Sequence, residues 1–261
     1  MSVNKIIVLF MVIFFAYCEA SFVDNMPKCH VADSKCLADL YETMFRDIGK
    51  TGIPEYNIPP FDPAKIKNLS FNVLNLLNIT LVDGVVKGIK DCKFKKLRFD
   101  IKKGRGYLET ICDITVKGHY KADSNSPLVK TFLGVDSILA EGNGQCTIEQ
   151  MHLSFDFRFS VQKRSDGEIY LPGSYDQIKY KYEILGQTTF YGDGIHVGGQ
   201  DISKNVMTLM NDNSPYFMKT FSPIFVDKAL KEFTFKFIGY FFDNVPARHY
   251  IIDDLTPYIK E

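Results

Sequence analysis

The feature that most constrains the fold is a series of apolar residues near the C-terminus. Between residues 217 and 241 every fourth position is apolar, as Phe217, Phe221, Phe225, Ala229, Phe233, Phe237 and Phe241. At 3.6 residues per turn, each step of four advances the series about 40° around a helix, so six steps carry the stripe through about 240°. A helix on a flat surface needs a narrow stripe, so this drift favours a helix wrapped by a curved sheet. The alternative is an ordinary buried helix in a large core.

The flanking residues predict where this helix begins and what precedes it. Ser214 is a good N-cap and Pro215 suits the first helical position, so one long helix is predicted over residues 215–242. Proline removes a helical hydrogen bond, so a kink is expected near Pro223. A shorter helix is predicted just before it, over Ile202–Met210.

From about residue 66 to 199 the apolar period changes to two, which is typical of strands. The clearest segment is residues 151–162, where apolar and polar residues alternate without error, and residues 178–184 behave similarly. Lys103-Gly104-Arg105-Gly106 is predicted as a turn and Gly192-Asp193-Gly194 as a hairpin turn. Long consecutive strands with one wet and one apolar face predict a large, strongly curved antiparallel sheet.

A short helix and a linker are predicted before the strands. A helix is predicted over residues 34–50, with Ser34 as its expected cap. It is followed by Gly52–Pro63, in which four prolines forbid regular structure, so an extended linker over the surface is expected. The predicted class is therefore α+β, with a long C-terminal helix wrapped by a highly curved antiparallel sheet.

The N-terminus has the three-part pattern of a cleaved signal peptide over residues 1–20. Lys5 gives the positive start, Ile6–Phe15 is a continuous apolar run, and Ala20 precedes polar chain. A membrane anchor is the alternative, but a spanning helix needs roughly 20 apolar residues. We therefore expect cleavage after Ala20, export, and a single domain over residues 21–261.

Composition narrows the possible partners. The 31 basic and 31 acidic residues balance, so no global field attracts nucleic acid or an acidic surface. The chain has 22 Phe and 14 Tyr but no Trp, so it buries much apolar surface or lines a cavity with it. The expected partner is a hydrophobic small molecule, bound by a monomer without a transmembrane segment.

Five cysteines remain after residue 20, and export favours disulfides. Cys29 and Cys36 are the easiest pair, since they close a small loop. At most one more bridge is then available, and Cys112–Cys146 is preferred because both residues lie in strand-like segments. Cys92 would then be free and buried. No CxxC spacing occurs, so no metal site is predicted.

Catalytic motifs are not found. The sequence has no nucleophile elbow, zinc-protease motif, phosphate loop or dinucleotide-binding motif. No catalytic residue and no cofactor is predicted, and a secreted hydrolase is the less favoured alternative. Two sequons, beginning at Asn68 and Asn78, are candidate glycosylation sites in an exported chain.

Several short motifs follow one another in order along the mature chain. They are Cys29 and Cys36 around a short loop, the linker Gly52–Pro63, Gly118-His119-Tyr120, Glu141-Gly142-Asn143-Gly144, Asn211–Pro215 at the start of the long helix, and Asn244-Val245-Pro246 at its end. The linker is the most specific of them. Together they resemble the insect takeout and haemolymph juvenile hormone binding proteins.

The resemblance implies a long helix wrapped by a curved sheet, related to tubular lipid-binding (TULIP) domains, and a Cys29–Cys36 bridge. It implies a carrier in haemolymph or another extracellular fluid, with juvenile hormone, a related terpenoid, a fatty acid or another long-chain lipid held between helix and sheet. Tyr216 and Phe217 stand where the family usually has a tryptophan, which favours the broader takeout-like group. The alternative is a protein of this fold that binds a lipid surface or receptor and carries no ligand.

The resemblance places the ligand in a tunnel between the helix and the sheet, and aromatic residues are the candidates for its wall. Each methylene group of a ligand buried against such a wall contributes about 0.8 kcal/mol to binding. The candidates are Phe217, Phe221, Phe225 and Phe233 from the C-terminal helix, Phe155, Phe157 and Phe159 from the sheet, and Tyr41 and Phe45 from the first helix. Tyr180 and Tyr182 are the candidates for binding a polar end group. For every one of them, plain core packing is the alternative.

Overall fold

The computed structural model describes residues 21–73, 75–124, 126–127, 131, 138–230 and 235–259. The predicted signal peptide and Phe233 lie outside the described residues, and so does the side chain of Phe237. Within the described part, the chain has the predicted α+β architecture, in which a large curved antiparallel sheet packs with C-terminal helices.

The sheet is open and has nine strands among the described residues, and two further short strands pair with each other. The bounds are β1 Ala64–Val73, β2 Leu77–Lys87, β3 Lys93–Asp100, β4 Arg105–Ser124, β5 Ile138–Phe159, β6 Gln162–Lys163, β7 Ile169–Tyr170, β8 Gly173–Ile184, β9 Thr188–Gly192, β10 Ile195–Val197 and β11 Gln200–Asp201. The main order is β1-β2-β4-β5-β10-β11, while β3 pairs with β4 and both β8 and β9 pair with β5.

Two long strands, β4 and β5, run beside each other and divide the sheet into two halves. Their register shifts between Cys112 and Ile114, where the N–H of Gln150 donates to the Asp113 carboxylate at 2.7 Å. The first half contains β3, β8 and residues 105–112 and 151–159; the second half contains β1, β2, β9, β10 and residues 114–124 and 138–148. The helices pack on these two halves of the sheet.

The helices are α1 Ser34–Ile48, α2 Ser203–Asp212, α3 Ser214–Ala229 and α4 Phe235–Asn244. α1 packs on β3 and α4 on β8, whereas α2 packs on β9 and α3 contacts both β1 and β9. The predicted long helix is thus described as α3 and α4, on either side of residues 231–234, which lie outside the description.

Both predicted N-caps are wrong by one residue. The cap of α1 is Asp33, because its carboxylate accepts the N–H of Cys36 at 2.9 Å, which Ser34 does not do. Ser214 is the first residue of α3. The preceding Asn213 uses its side-chain amide to donate to the carbonyl of Leu209 in α2, so it links the two helices.

The predicted hairpin turn at Gly192-Asp193-Gly194 is also wrong. β9 and β10 both pair with β5 and not with each other. Asp193 and Gly194 therefore form an irregular step between two strands that lie one after the other along β5. The chain reverses later, at Gly198 and Gly199, whose φ angles of 57° and 83° suit glycine. Local composition marked a turn, but it did not show which strands pair.

The proline-rich linker lies partly inside the molecule and not wholly over the surface. Ile53, Ile58 and Phe61 are buried, and the ring of Phe61 lies 5.0 Å from that of Phe45. Proline prevents ladder hydrogen bonds but does not prevent apolar neighbours from packing. The buried carboxylate of Asp62 accepts the backbone N–H groups of Gly88 and Lys90, both at 2.9 Å, which fastens the linker to the end of β2.

Two disulfides are present in the described part of the chain, and one of them corrects the predicted pairing. Cys29 bonds Cys36, as predicted. Cys112 bonds Cys92 and not Cys146, because β3 lies beside β4 with Lys93 opposite Ile111, which leaves the Cα atoms of Cys92 and Cys112 4.3 Å apart. Cys146 is a free thiol in the second half of the sheet, opposite Val116.

Candidate functional site

The first half of the sheet encloses a filled aromatic core. The ring of Tyr41 lies 5.4 Å from those of Phe241 and Phe242 in α4. A void of about 10 Å³ remains among these rings, which is at the limit of what one water molecule occupies. The predicted wall residues in this core, none more than 9% exposed, are Tyr41, Phe45, Phe155, Phe157 and Phe159. In the structure these five side chains pack against one another and their neighbours as part of the core.

The second half differs, because its apolar residues are incompletely covered. α3 crosses from β9 to β1 and contacts both. The ring of Phe225 lies 4.6 Å from that of Phe71 on β1. The side chains here that remain partly exposed are Phe71, Leu81, Val116 and Phe190 from the sheet and Phe217, Phe221 and Phe225 from α3. The structure thus brings three of the predicted wall residues to a face with apolar surface left to cover.

A row of glycines crosses this half of the sheet. Gly84, Gly118, Gly144 and Gly192 lie directly opposite one another in β2, β4, β5 and β9. A Cβ on Gly118 would lie 2.0 Å from the carbonyl oxygen of Asp83, so the backbones approach too closely there for any side chain. Without side chains, the row leaves room at the sheet surface for groups from neighbouring rows.

Tyr120 occupies part of that room. Its ring carbon Cδ1 is 3.3 Å from where a Cβ on Gly144 would stand, and its hydroxyl donates to the carbonyl of Asp193 at 2.8 Å. Burial, and secondarily the charge of Asp193, raises the pKa of this phenol. Two motifs noted in the sequence, Gly118-His119-Tyr120 and Gly142-Asn143-Gly144, are therefore parts of one packed unit on neighbouring strands.

The two tyrosines predicted to bind a polar end group are already engaged with α3. The hydroxyl of Tyr182 lies 3.0 Å from that of Ser222. Burial and a hydrogen bond with the Asp227 carboxylate raise the pKa of Tyr180 to about 12. Both tyrosines therefore fasten α3 to β8.

Two further groups of the second half were not predicted as site residues. Burial raises the pKa of the Cys146 thiol to about 12, and Cys146 lies between Val116 and Phe190 across the sheet. The buried hydroxyl of Thr188, opposite Ile148, has no hydrogen-bond partner within the described residues. A buried hydroxyl without a partner is costly, so it is a ready donor for an oxygen on a bound molecule.

The strand alternation contained the signal for these residues. Residues 146 and 148 have the same parity as Gly144 on β5, and residues 188 and 190 have the same parity as Gly192 on β9. The sequence did not show that β5 continues past its irregularity as far as Ile138, so that face was not recognised. Among the described residues, no group of three or more metal-ligating side chains comes together. No helix in this part of the chain is long and apolar enough to cross a membrane.

Comparison with known proteins agrees with this architecture. Residues 8–251 match the family model described as haemolymph juvenile hormone binding protein. The crystal structure of Epiphyas postvittana Takeout 1 is similar, with a TM-score of 0.72, 21% identity, and coverage of 87% of this chain and 99% of the other. A lipopolysaccharide binding protein gives a TM-score of 0.35 at 12% identity, covering 80% of this chain and 38% of the other. No curated protein sequence matches.

Proposed function

Because the chain belongs to the haemolymph juvenile hormone binding protein family, we propose that it is a secreted carrier. It encloses one hydrophobic small molecule reversibly between α3 and the second half of the sheet. The ligand is juvenile hormone, a related terpenoid, a fatty acid or another long-chain lipid. Two disulfides are consistent with export.

One observation carries this proposal: the two halves of the sheet differ in how well they are filled. Around Tyr41 and Phe157 the void is about 10 Å³. Around Phe71 and Phe225, apolar side chains facing each other keep partial exposure. A molecule that covers this surface removes apolar area from water at both the sheet and the helix.

The physical driving force is large enough for a useful affinity. A ligand with about 15 buried methylene groups gains about 12 kcal/mol at about 0.8 kcal/mol each. Association costs at least about 4 kcal/mol in lost freedom, which leaves an affinity near the micromolar range. Thr188 supplies the single polar contact proposed here, a hydrogen bond from its buried hydroxyl to an ester, carboxyl or hydroxyl oxygen of the ligand.

The first test is to purify the native protein gently and to record its mass under non-denaturing conditions. Lipid extraction and identification then give the ligand. A mass increment that disappears on extraction supports the carrier. A clean apo mass, together with failure to bind any fluorescent fatty acid or terpenoid probe, contradicts it.

The proposed location of the ligand is tested with Cys146→Phe, which adds volume between Val116 and Phe190. We expect at least a tenfold loss of probe affinity with the fold retained, as seen by circular dichroism. The matched control is Leu153→Met in the filled first half, a volume-conserving change that should leave affinity unchanged. Unchanged affinity in Cys146→Phe, or an equal loss in both variants, would place the ligand elsewhere.

A further inference from the structure

A groove of about 530 Å³ crosses the outer face of the second half of the sheet. Backbone of the glycine row forms its floor. One wall carries Lys65, Lys117 and Tyr191, and the other carries Lys67 and Asp83. These charged side chains are exposed, so the groove is separate from the interior site and the inference drawn from it does not depend on the ligand proposed above.

The lysines are placed to act on one negatively charged surface. Lys65 is opposite Val85, and Val85 is opposite Lys117, so two strand spacings of about 4.8 Å separate the two lysines on the same wall. Lys67 stands across the groove from them. Within the described chain none of the three ammonium groups forms an ion pair. With Asp83 as the one acidic side chain lining the groove, the net charge there is positive.

Protection of a sheet edge explains only part of this arrangement. β1 is an edge strand, and lysines on an edge strand prevent pairing with another chain. That accounts for Lys65 and Lys67. Lys117 is on β4, which has β2 on one side and β5 on the other, so it has no edge to protect. The third lysine therefore indicates an anionic partner.

The composition of the groove favours a lipid surface over a protein. Protein interfaces are depleted in lysine and enriched in arginine, and no arginine lines this groove. Lysine has a long flexible stem that reaches toward lipid headgroups, and each lysine strengthens binding to an anionic bilayer by roughly fivefold. Tyr191, which is 60% exposed, offers the amphipathic ring that is common at the headgroup level. We propose that this groove docks the protein onto the phosphate headgroups of an anionic phospholipid bilayer.

The test is flotation with phosphatidylcholine vesicles that contain about one third phosphatidylserine, against vesicles of phosphatidylcholine alone. We expect the protein to bind the anionic vesicles. This binding should fall steeply as the salt concentration approaches about 1 M, where the Debye length is about 3 Å. The variant is Lys65→Gln/Lys67→Gln/Lys117→Gln, and a loss of roughly 10- to 100-fold in the partition coefficient is expected.

The matched control removes the same charge from elsewhere, as Lys95→Gln/Lys102→Gln/Lys163→Gln, three exposed lysines outside the groove. It should keep most of the binding, and both triple variants should keep the denaturation midpoint of the parent. Equal losses in the two variants, or equal binding to both kinds of vesicle, would overturn the proposal. Binding of an acidic polypeptide or of heparin without binding of the anionic vesicles would do the same.

The sequon at Asn68 provides a second, independent test of docking through this groove. Asn68 is exposed and follows Lys67 directly, so a glycan attached there would hold a bilayer away from the groove. A chain that carries this glycan should lose vesicle binding, and Asn68→Gln produced in the same host should recover it. Undiminished binding by the glycosylated chain would contradict docking through this face.

Discussion

Tyr120 lies over Gly144 so closely that a Cβ on this glycine would stand 3.3 Å from the ring carbon Cδ1 of the tyrosine. Gly144→Ala therefore requires the ring to move by a few tenths of an ångström, and we expect a loss of about 1 kcal/mol in unfolding free energy. Gly118→Ala should cost about 3 kcal/mol or more, because its Cβ would meet the Asp83 carbonyl oxygen at 2.0 Å. Urea denaturation measures both, and equal losses would show that the sheet can relax at Gly118.

The Asp62 carboxylate is expected to be essential for the linker. Asp62→Ala leaves the N–H groups of Gly88 and Lys90 without an acceptor, which should destabilise the protein by about 2–3 kcal/mol. Asp62→Asn keeps one acceptor oxygen and should cost less. Asp39→Ala, which removes only an exposed pair with Lys35, is the control and should change stability by less than about 0.5 kcal/mol. A loss in Asp62→Ala no larger than in the control would contradict this role.

His249 should make stability depend on pH in the acidic range. It is 2% exposed, and burial followed by the charge of Arg248 lowers its pKa below the ordinary value of 6.5. The unfolded state therefore binds the proton more tightly, so stability is complete above about pH 6.5 and falls as the pH drops through the folded pKa.

Removing this titration tests the assignment. The neutral variant His249→Gln should flatten the fall in unfolding free energy between pH 7.5 and pH 5, whatever its cost at neutral pH. His196→Gln, at an exposed histidine, should retain the slope of the parent. A slope unchanged in His249→Gln would assign the acid sensitivity to other groups.

Cys146, which is only partly exposed, should behave as an inert thiol. With a pKa of about 12, only about one molecule in 10⁴ carries the thiolate at pH 8. Iodoacetamide should therefore label the folded protein very slowly and the unfolded protein rapidly, as followed by mass spectrometry. Ligand binding in the second half should slow the labelling further, and fast labelling of the folded protein would show that the thiol is open to water.

The sequence predicted the strands and helices of this fold better than it predicted which strands lie beside each other. The alternation from Met151 to Phe159 predicted a strand with one buried face, and those odd-numbered residues are buried. The second disulfide could not be predicted in this way, since it depends on β3 lying beside β4. Pairing between strands is set by contacts distant in sequence, which periodicity does not contain.

The same limit applies to the candidate site. Strand alternation placed Phe155 and Phe157 on an apolar face, and helical periodicity did the same for Phe225. Neither pattern showed which face is filled. α1 and α4 fill the first half with rings from Tyr41 and Phe242, while α3 covers the second half less completely. How completely a face is covered follows from where the helices dock, and this is a property of the whole fold.

The continuity of β4 and β5 through both halves has an evolutionary consequence. One stretch of these strands belongs to a tightly packed aromatic core, and the next belongs to a face with spare apolar surface. In the proposed carrier, substitutions at positions such as Val116 or Phe190 change the surface that contacts the ligand, while the rings around Tyr41 keep the chain folded. Under that proposal, a lineage with this architecture changes the ligand it binds by small steps, without rebuilding the packed core that keeps the sheet folded.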